Sequence, residues 1–196
     1  RVAQEMVLGI GGVRALQALR IKPDVYHFNE GHALFAGFEL VHQRMAKGAT
    51  FEAALAKTRD EVVFTTHTPI VQGNESHPID RFLYMGANLG LTKAQLRQLG
   101  GSPFNMTVGA LRLSRIANAV ADLPGFAELV GYKQAGINIW APPTFALLAL
   151  DPTNRIVPSQ AAMDARDAGL DLITWTLERS GILADGNNGF YFQTPD

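Results

Sequence analysis

Glu61-Val-Val-Phe-Thr-Thr66, followed by His67-Thr68-Pro69, is the stretch on which the fold turns. Its first six residues are dense in β-branched side chains, which suit a pleated, buried surface, so they read as a strand. The strand runs directly into a polar turn. A second stretch of the same design lies upstream: Asp24-Val-Tyr-His-Phe-Asn29, then Glu30-Gly31-His32. Between the two, Leu34, Phe38, Val41 and Met45 recur at helical spacing as far as Gly48, and Thr50 caps a second helix, Phe51 to Arg59. Short apolar strands alternating with helices predict an α/β fold with buried, parallel strands.

Working outward, residues 4–20 read as a helix broken by Gly9, Gly11 and Gly12. A long loop follows His67 to about residue 80. Thr92-Lys-Ala-Gln95 is a capping box for a short helix stopped by Gly100-Gly101. Ser102-Pro103 then opens a helix expected to run to Val120. Asp122-Leu-Pro124-Gly125 punctuates the chain. Beyond it come a helix from Phe126 to Lys133, a strand from Ile137 to Trp140, a Ser159-capped helix to Ala168, and a strand from Asp171 to Leu177. Strand, helix and strand in that order favour a parallel βαβ unit.

Composition narrows the function classes. The 196 residues are 47% apolar and 18% charged, which is globular composition. Zero Cys excludes disulfides and thiolate catalysis and suits a cytoplasmic location. The longest apolar run, Phe145 to Leu150, is far too short to span a bilayer. Starting at Arg1 rather than Met, the chain reads as an excerpt or a processed product. The net charge of −1 hides an asymmetry. Residues 1–121 hold 13 Lys+Arg and 9 Asp+Glu, whereas residues 122–196 hold 4 and 9. All five His precede residue 78 and both Trp follow residue 121. The shift suggests two segments of different origin, 1–121 and 122–196, with chance variation in one domain as the competing reading. A surplus of four positive charges without interleaved aromatics argues against nucleic-acid binding.

The strongest constellation joins the two loops. Asn29-Glu30-Gly31-His32 and Thr65-Thr66-His67-Thr68-Pro69 leave the carboxyl ends of their strands, where ligands bind in open parallel sheets. Amide, carboxylate, imidazole and hydroxyl groups together suit a polyhydroxylated ligand such as a sugar, with a capped structural turn as the alternative. Other motifs carry less. Gly9-Ile-Gly11-Gly12 lacks the third glycine and preceding strand of a dinucleotide fingerprint, so helix packing or a turn explains it better. His27 alternates with Val25 and reads as a satisfied, partly buried His; paired with His32 it lacks a third metal ligand, and no metal site is expected. Ser114 has no nucleophile elbow around it and is expected to bond its own helix backbone. Asp151, Asp164, Asp167 and Asp171 are expected to face solvent. Trp175 is read either as an aromatic wall at a strand end or as core.

In order along the first 120 residues stand Gln4-Glu5-Met-Val-Leu-Gly9-Ile-Gly-Gly12-Val-Arg14, His27-Phe-Asn29-Glu30-Gly31-His32, Val63-Phe-Thr-Thr-His67-Thr68-Pro69, Phe104-Asn105-Met106-Thr107 and Leu111-Arg112-Leu113-Ser114-Arg115. Together they resemble the short bacterial type of α-glucan (glycogen/maltodextrin) phosphorylase. The resemblance implies that residues 1–121 are a fragment of the Rossmann-like N-domain of a glycosyltransferase-B fold. It implies transfer of a glucosyl unit between an α-1,4-glucan or maltodextrin and phosphate, with pyridoxal phosphate as cofactor. It also implies that His67 hydrogen-bonds the transferred glucosyl unit and that Asn29, Glu30 and His32 line the sugar pocket. The family's pyridoxal-binding Lys lies in the other domain, and no segment here corresponds to it. No complete catalytic set is therefore expected, and the chain alone is expected to be inactive.

Residues 122–196 resemble a second family. Gly136-Ile-Asn-Ile-Trp140-Ala-Pro-Pro143, Ala168-Gly169-Leu-Asp-Leu-Ile-Thr-Trp175-Thr176 and Glu178-Arg179-Ser180 are similar to the C-terminal part of glycerophosphodiester phosphodiesterases, which are TIM barrels. The resemblance implies a partial TIM-barrel-like βαβ segment with Trp175, Glu178 and Arg179 at the site mouth. That family's divalent-metal ligands and catalytic His pair lie on barrel strands with no counterpart here. The alternatives are thus a phosphodiesterase fragment or a non-catalytic chimera. Without partner domains, exposed apolar faces are expected to favour self-association.

Overall fold

The computed structural model describes residues 1–67, 75–120 and 125–174. The chain divides into two units, Arg1–Ala117 and Asn118–Asp196.

The first unit opens with α1 (Val2–Met6), a π-helical turn (Val7–Gly11) and α2 (Gly12–Ala18), which follow one another without a break. The expected interruption at the glycines does not occur. Gly11 and Gly12 keep right-handed helical angles, and the backbone absorbs an extra residue as a wider turn. Gly9 serves packing. A Cβ there would lie 2.5 Å from the Ala36 amide nitrogen, so only glycine lets this segment approach α3 (Leu34–Ala46) so closely.

β1 (Tyr26–Asn29) precedes α3, and α4 (Phe51–Glu61) leads into β2 (Val62–Thr66). The two strands pair in parallel, from Tyr26 opposite Val62 to Asn29 opposite Thr65. Local chemistry fixes the helices between them. The Thr50 hydroxyl accepts from the Ala53 amide at 3.2 Å, and Arg44 on α3 donates to Glu61 at 2.5 Å and to Thr58 at 2.9 Å on α4. His27 is satisfied, with Nε2 2.7 Å from the Thr65 hydroxyl, but it is exposed rather than partly buried.

Then come β3 (Ser76–His77), α5 (Ile79–Met85), α6 (Lys93–Gly100), β4 (Phe104–Asn105), α7 (Met106–Arg112) and β5 (Ile116–Ala119). The capping box of α6 forms as expected, with reciprocal bonds between Thr92 and Gln95 of 3.2 and 2.8 Å. The single helix expected from Ser102 to Val120 does not form. Phe104 and Asn105 pair antiparallel with β3, and the Asn105 side chain caps α7 at the Val108 amide, 2.9 Å away. Past α7, the Ser114 hydroxyl bonds Leu111 O at 3.0 Å, and the Arg115 amide bonds Val62 O on β2 at 3.0 Å. Edge-on aromatic contacts centre the core: Phe38–Phe104 at 5.8 Å, Phe35–Phe82 at 5.3 Å and Phe82–Phe104 at 5.1 Å.

The second unit contains α8 (Phe126–Gln134), β6 (Ile139–Trp140), α9 (Thr144–Leu147), β7 (Leu148–Leu150), β8 (Ile156–Pro158), α10 (Gln160–Asp167) and β9 (Asp171–Leu172). Asn118 and Ala119, at the end of β5, pair in parallel with β6, and β6 pairs in parallel with β9. The Ser159 hydroxyl caps α10 at the Ala162 amide, 3.1 Å away. The β7–β8 hairpin is not anticipated by the sequence pattern. Its turn corrects the solvent-facing expectation for Asp151. That carboxylate accepts from the Thr153 amide at 2.7 Å, the Thr153 hydroxyl at 2.6 Å and the Arg155 amide at 3.0 Å. Asp164 is also half-buried, whereas Asp167 and Asp171 are exposed. Among the described residues, no helix is long and apolar enough to cross a membrane.

Candidate functional site

Because β1 and β2 are parallel, the loops after them leave the same end of the pair. Glu30 ties these loops together. Its amide bonds Thr65 O at 2.8 Å, and its carboxylate accepts from the His67 amide and, at 3.4 Å, from the Thr66 hydroxyl. The reach requires an unusual backbone. Glu30 has φ 64° and ψ 171°, a conformation that side-chain-bearing residues rarely adopt and that clusters at functional loops. Behind it, Gly31 lies against α7, where a Cβ would meet Met106 Cβ at 3.0 Å. Another side chain there would push the loop off α7.

Around this tie, Asn29, His32 and His67 are exposed and Glu30 is half-buried. The surface thus offers an amide and two imidazoles, beside a carboxylate whose two oxygens already hold the neighbouring loop. Glu30 acts first as a positioning group. The sequence identified the loops but not the Thr66 hydroxyl or the His27–Thr65 bond that hold them. Thr68 and Pro69 of this loop lie outside the described residues, as do Trp175, Glu178 and Arg179.

The chain has relatives of known name. The chain is 42% identical over 127 residues to the maltodextrin phosphorylase of Thermococcus litoralis, covering 63% of this chain and 15% of that protein. It is 36% identical over 163 residues to the glycogen phosphorylase of Mycobacterium tuberculosis, covering 72% and 18%. The glycogen phosphorylase of Aquifex aeolicus is 31% identical over 131 residues, covering 62% and 19%. The chain is a homologue of the maltodextrin and glycogen phosphorylases. It spans less than a fifth of the length of these three relatives. No family profile matches it.

A phosphorylase relationship implies pyridoxal phosphate, and the residues present do not fit that group. A lysine that holds the aldehyde must sit in an enclosed pocket beside cations for the phosphate. All five lysines of this chain (Lys22, Lys47, Lys57, Lys93 and Lys133) are exposed.

Proposed function

We propose that the first unit supplies the sugar-facing loops of an α-glucan phosphorylase, on a Rossmann-like N-domain of glycosyltransferase-B type. The observation that carries this reading is the Glu30 tie, which bonds the His67 amide and so joins the loop after β2 to the loop of Asn29 and His32 after its parallel neighbour β1. In this reading His67 hydrogen-bonds the glucosyl unit, Asn29 and His32 line the same wall, and Glu30 holds the His67 backbone in place. The ligands are an α-1,4-glucan and, in the complete catalytic unit, phosphate. Similarity to the named phosphorylases supports the substrate class. The parallel β6–α10–β9 crossover supports reading the second unit as a partial barrel-like βαβ segment. Exposed Val7, Leu8 and Leu19 are the surface on which self-association would rest.

The test is a titration of the full chain with maltooligosaccharide, followed by amide NMR. Shifts at Asn29, Glu30, His32 and His67 are expected, weakened at least tenfold in Glu30→Ala. Shifts confined to other residues, or none at millimolar sugar, would overturn the assignment. Release of glucose 1-phosphate by this chain with added pyridoxal phosphate would overturn the conclusion that it lacks the cofactor site.

A further inference from the structure

Away from the sugar-facing loops, the first unit buries a second polar cluster. Glu5 on α1, Glu75 just before β3 and His77 on β3 bring three ligand-type atoms within 4.8 Å of one another. Glu5 is 4% exposed and His77 6% exposed. Glu5 Oε2 and His77 Nε2 are buried and make no hydrogen bond. His77 Nε2 lies 2.7 Å from Glu75 Oε1, without the direction a hydrogen bond needs. The cluster is rigidly backed. The Glu75 carbonyl accepts from the Met106 amide at 2.9 Å, β3 pairs with β4, and the His77 ring packs on Phe82 with centroids 5.8 Å apart. Two guanidiniums border it. Arg1 Nε stands 2.6 Å from Glu75 Oε2 and 3.4 Å from Glu5 Oε1, and Arg81 Nη1 stands 3.4 Å from His77 Nδ1. Both arginines are exposed, so each can withdraw into water.

We propose that Glu5, Glu75 and His77 form a binding site for a divalent first-row transition-metal ion of the zinc class. Two carboxylates and one imidazole are a zinc-type donor set that leaves a fourth position for water. Calcium needs six to eight oxygens, and magnesium keeps an octahedral shell of waters, so neither suits this set. Tetrahedral bonds of about 2.0–2.2 Å place ligand atoms about 3.3 Å apart, within reach of small side-chain rotations here. A proton shared by the two carboxyls would leave His77 Nε2 without a partner, whereas a cation satisfies all three side chains.

The test uses the full chain, stripped with chelator and titrated with Zn²⁺ by calorimetry and with Co²⁺ by visible absorption. One equivalent is expected, with the absorption of four-coordinate cobalt. Glu5→Gln and His77→Ala should each weaken binding at least tenfold, while His42→Ala should not change it. Absence of binding, or binding unchanged by the first two substitutions, would overturn the site. Should those variants fail to fold, imidazole nitrogen NMR of the wild-type chain decides. Loss of the proton from His77 Nε2 on adding one equivalent of zinc supports the site, and a retained proton overturns it.

Discussion

The two units bury their interiors with different materials. In the first, six phenylalanines are almost completely buried (Phe28, Phe35, Phe38, Phe64, Phe82 and Phe104), and rings from α3, α5 and β4 meet edge to face. In the second, Trp140 is the one aromatic residue buried so fully among the described residues, and most other buried apolar positions are alanines, such as Ala119, Ala141, Ala146, Ala162 and Ala165. Large rings contribute far more buried area per residue and interlock in fixed orientations. The first unit can therefore hold a loop in a disfavoured conformation, as at Glu30, because the surrounding packing over-determines it. The second anchors its turn with local hydrogen bonds instead.

Removing one ring should test this contrast most severely. Phe82→Ala takes away contacts to Phe35, Phe38, Phe104 and His77 together. A loss of roughly 3–5 kcal/mol is expected from the transfer and cavity costs of such a deletion. Amide exchange in α3 and α6 should report it. Both tryptophans follow the division between the units, so fluorescence reports the second unit separately. An unfolding midpoint by fluorescence that stays in place keeps the units thermodynamically separate. A midpoint that falls along with amide protection would join them into one cooperative whole.

Glycine substitutions offer a smaller and sharper contrast, because they should have opposite signs. At Gly9 an added methyl meets backbone atoms, Ala36 N at 2.5 Å and Phe35 C at 2.7 Å, which cannot yield as a side chain can. Gly9→Ala should cost roughly 1–3 kcal/mol by overpacking the approach to α3. At Gly131, inside α8, nothing lies within 4 Å of the added carbon. Gly131→Ala should stabilise by about 0.5–1 kcal/mol, the helix-interior penalty of glycine. Thermal unfolding of both variants gives the signs. Stabilisation by Gly9→Ala would show that α3 is not held where it is described.

What could be read from the sequence follows the same division between local and distant causes. β1, β2, α3, α4, α6 and α10 were legible because each carries its own signal, such as β-branched runs, helical spacing, or the caps Thr50, Thr92 and Ser159. β5 was not legible. Ile116-Ala-Asn-Ala119 has one β-branched residue and no punctuation, and it becomes a strand through pairing with a distant partner. The long helix expected from Ser102 failed for the related reason that Phe104 and Asn105 pair with β3. At the candidate site, the two loops could be placed together from strand ends alone. The use of Glu30 to hold His67 could not, since it depends on a positive φ that no residue type announces. Glu5 and His77 meet only because β3 and α1 are folded together, so their cluster left no spacing to read.

The smallest expected effect concerns how each unit fixes a turn with a carboxylate. Glu30 reaches between elements distant in sequence, whereas Asp151 binds only residues two and four positions on, in the β7–β8 turn. Hydrogen bonds from the Thr153 hydroxyl, followed by the Arg155 amide, hold the Asp151 carboxyl down at about 2, below its ordinary 3.8. The folded chain therefore favours the charged form more than the unfolded chain does. The resulting stability is fully present above the unfolded value near 3.8 and is lost as pH falls through about 2. Asp151→Asn should then be slightly less stable than the parent at neutral pH, with the gap closing as acid protonates the parent's carboxyl. Chemical denaturation at several pH values, read by tryptophan fluorescence, measures that gap. A gap that persists unchanged below pH 2 would assign the effect to shape rather than charge. The turn would then be held by the residue's geometry, and the second unit would resemble the first more closely than its alanine-built interior suggests.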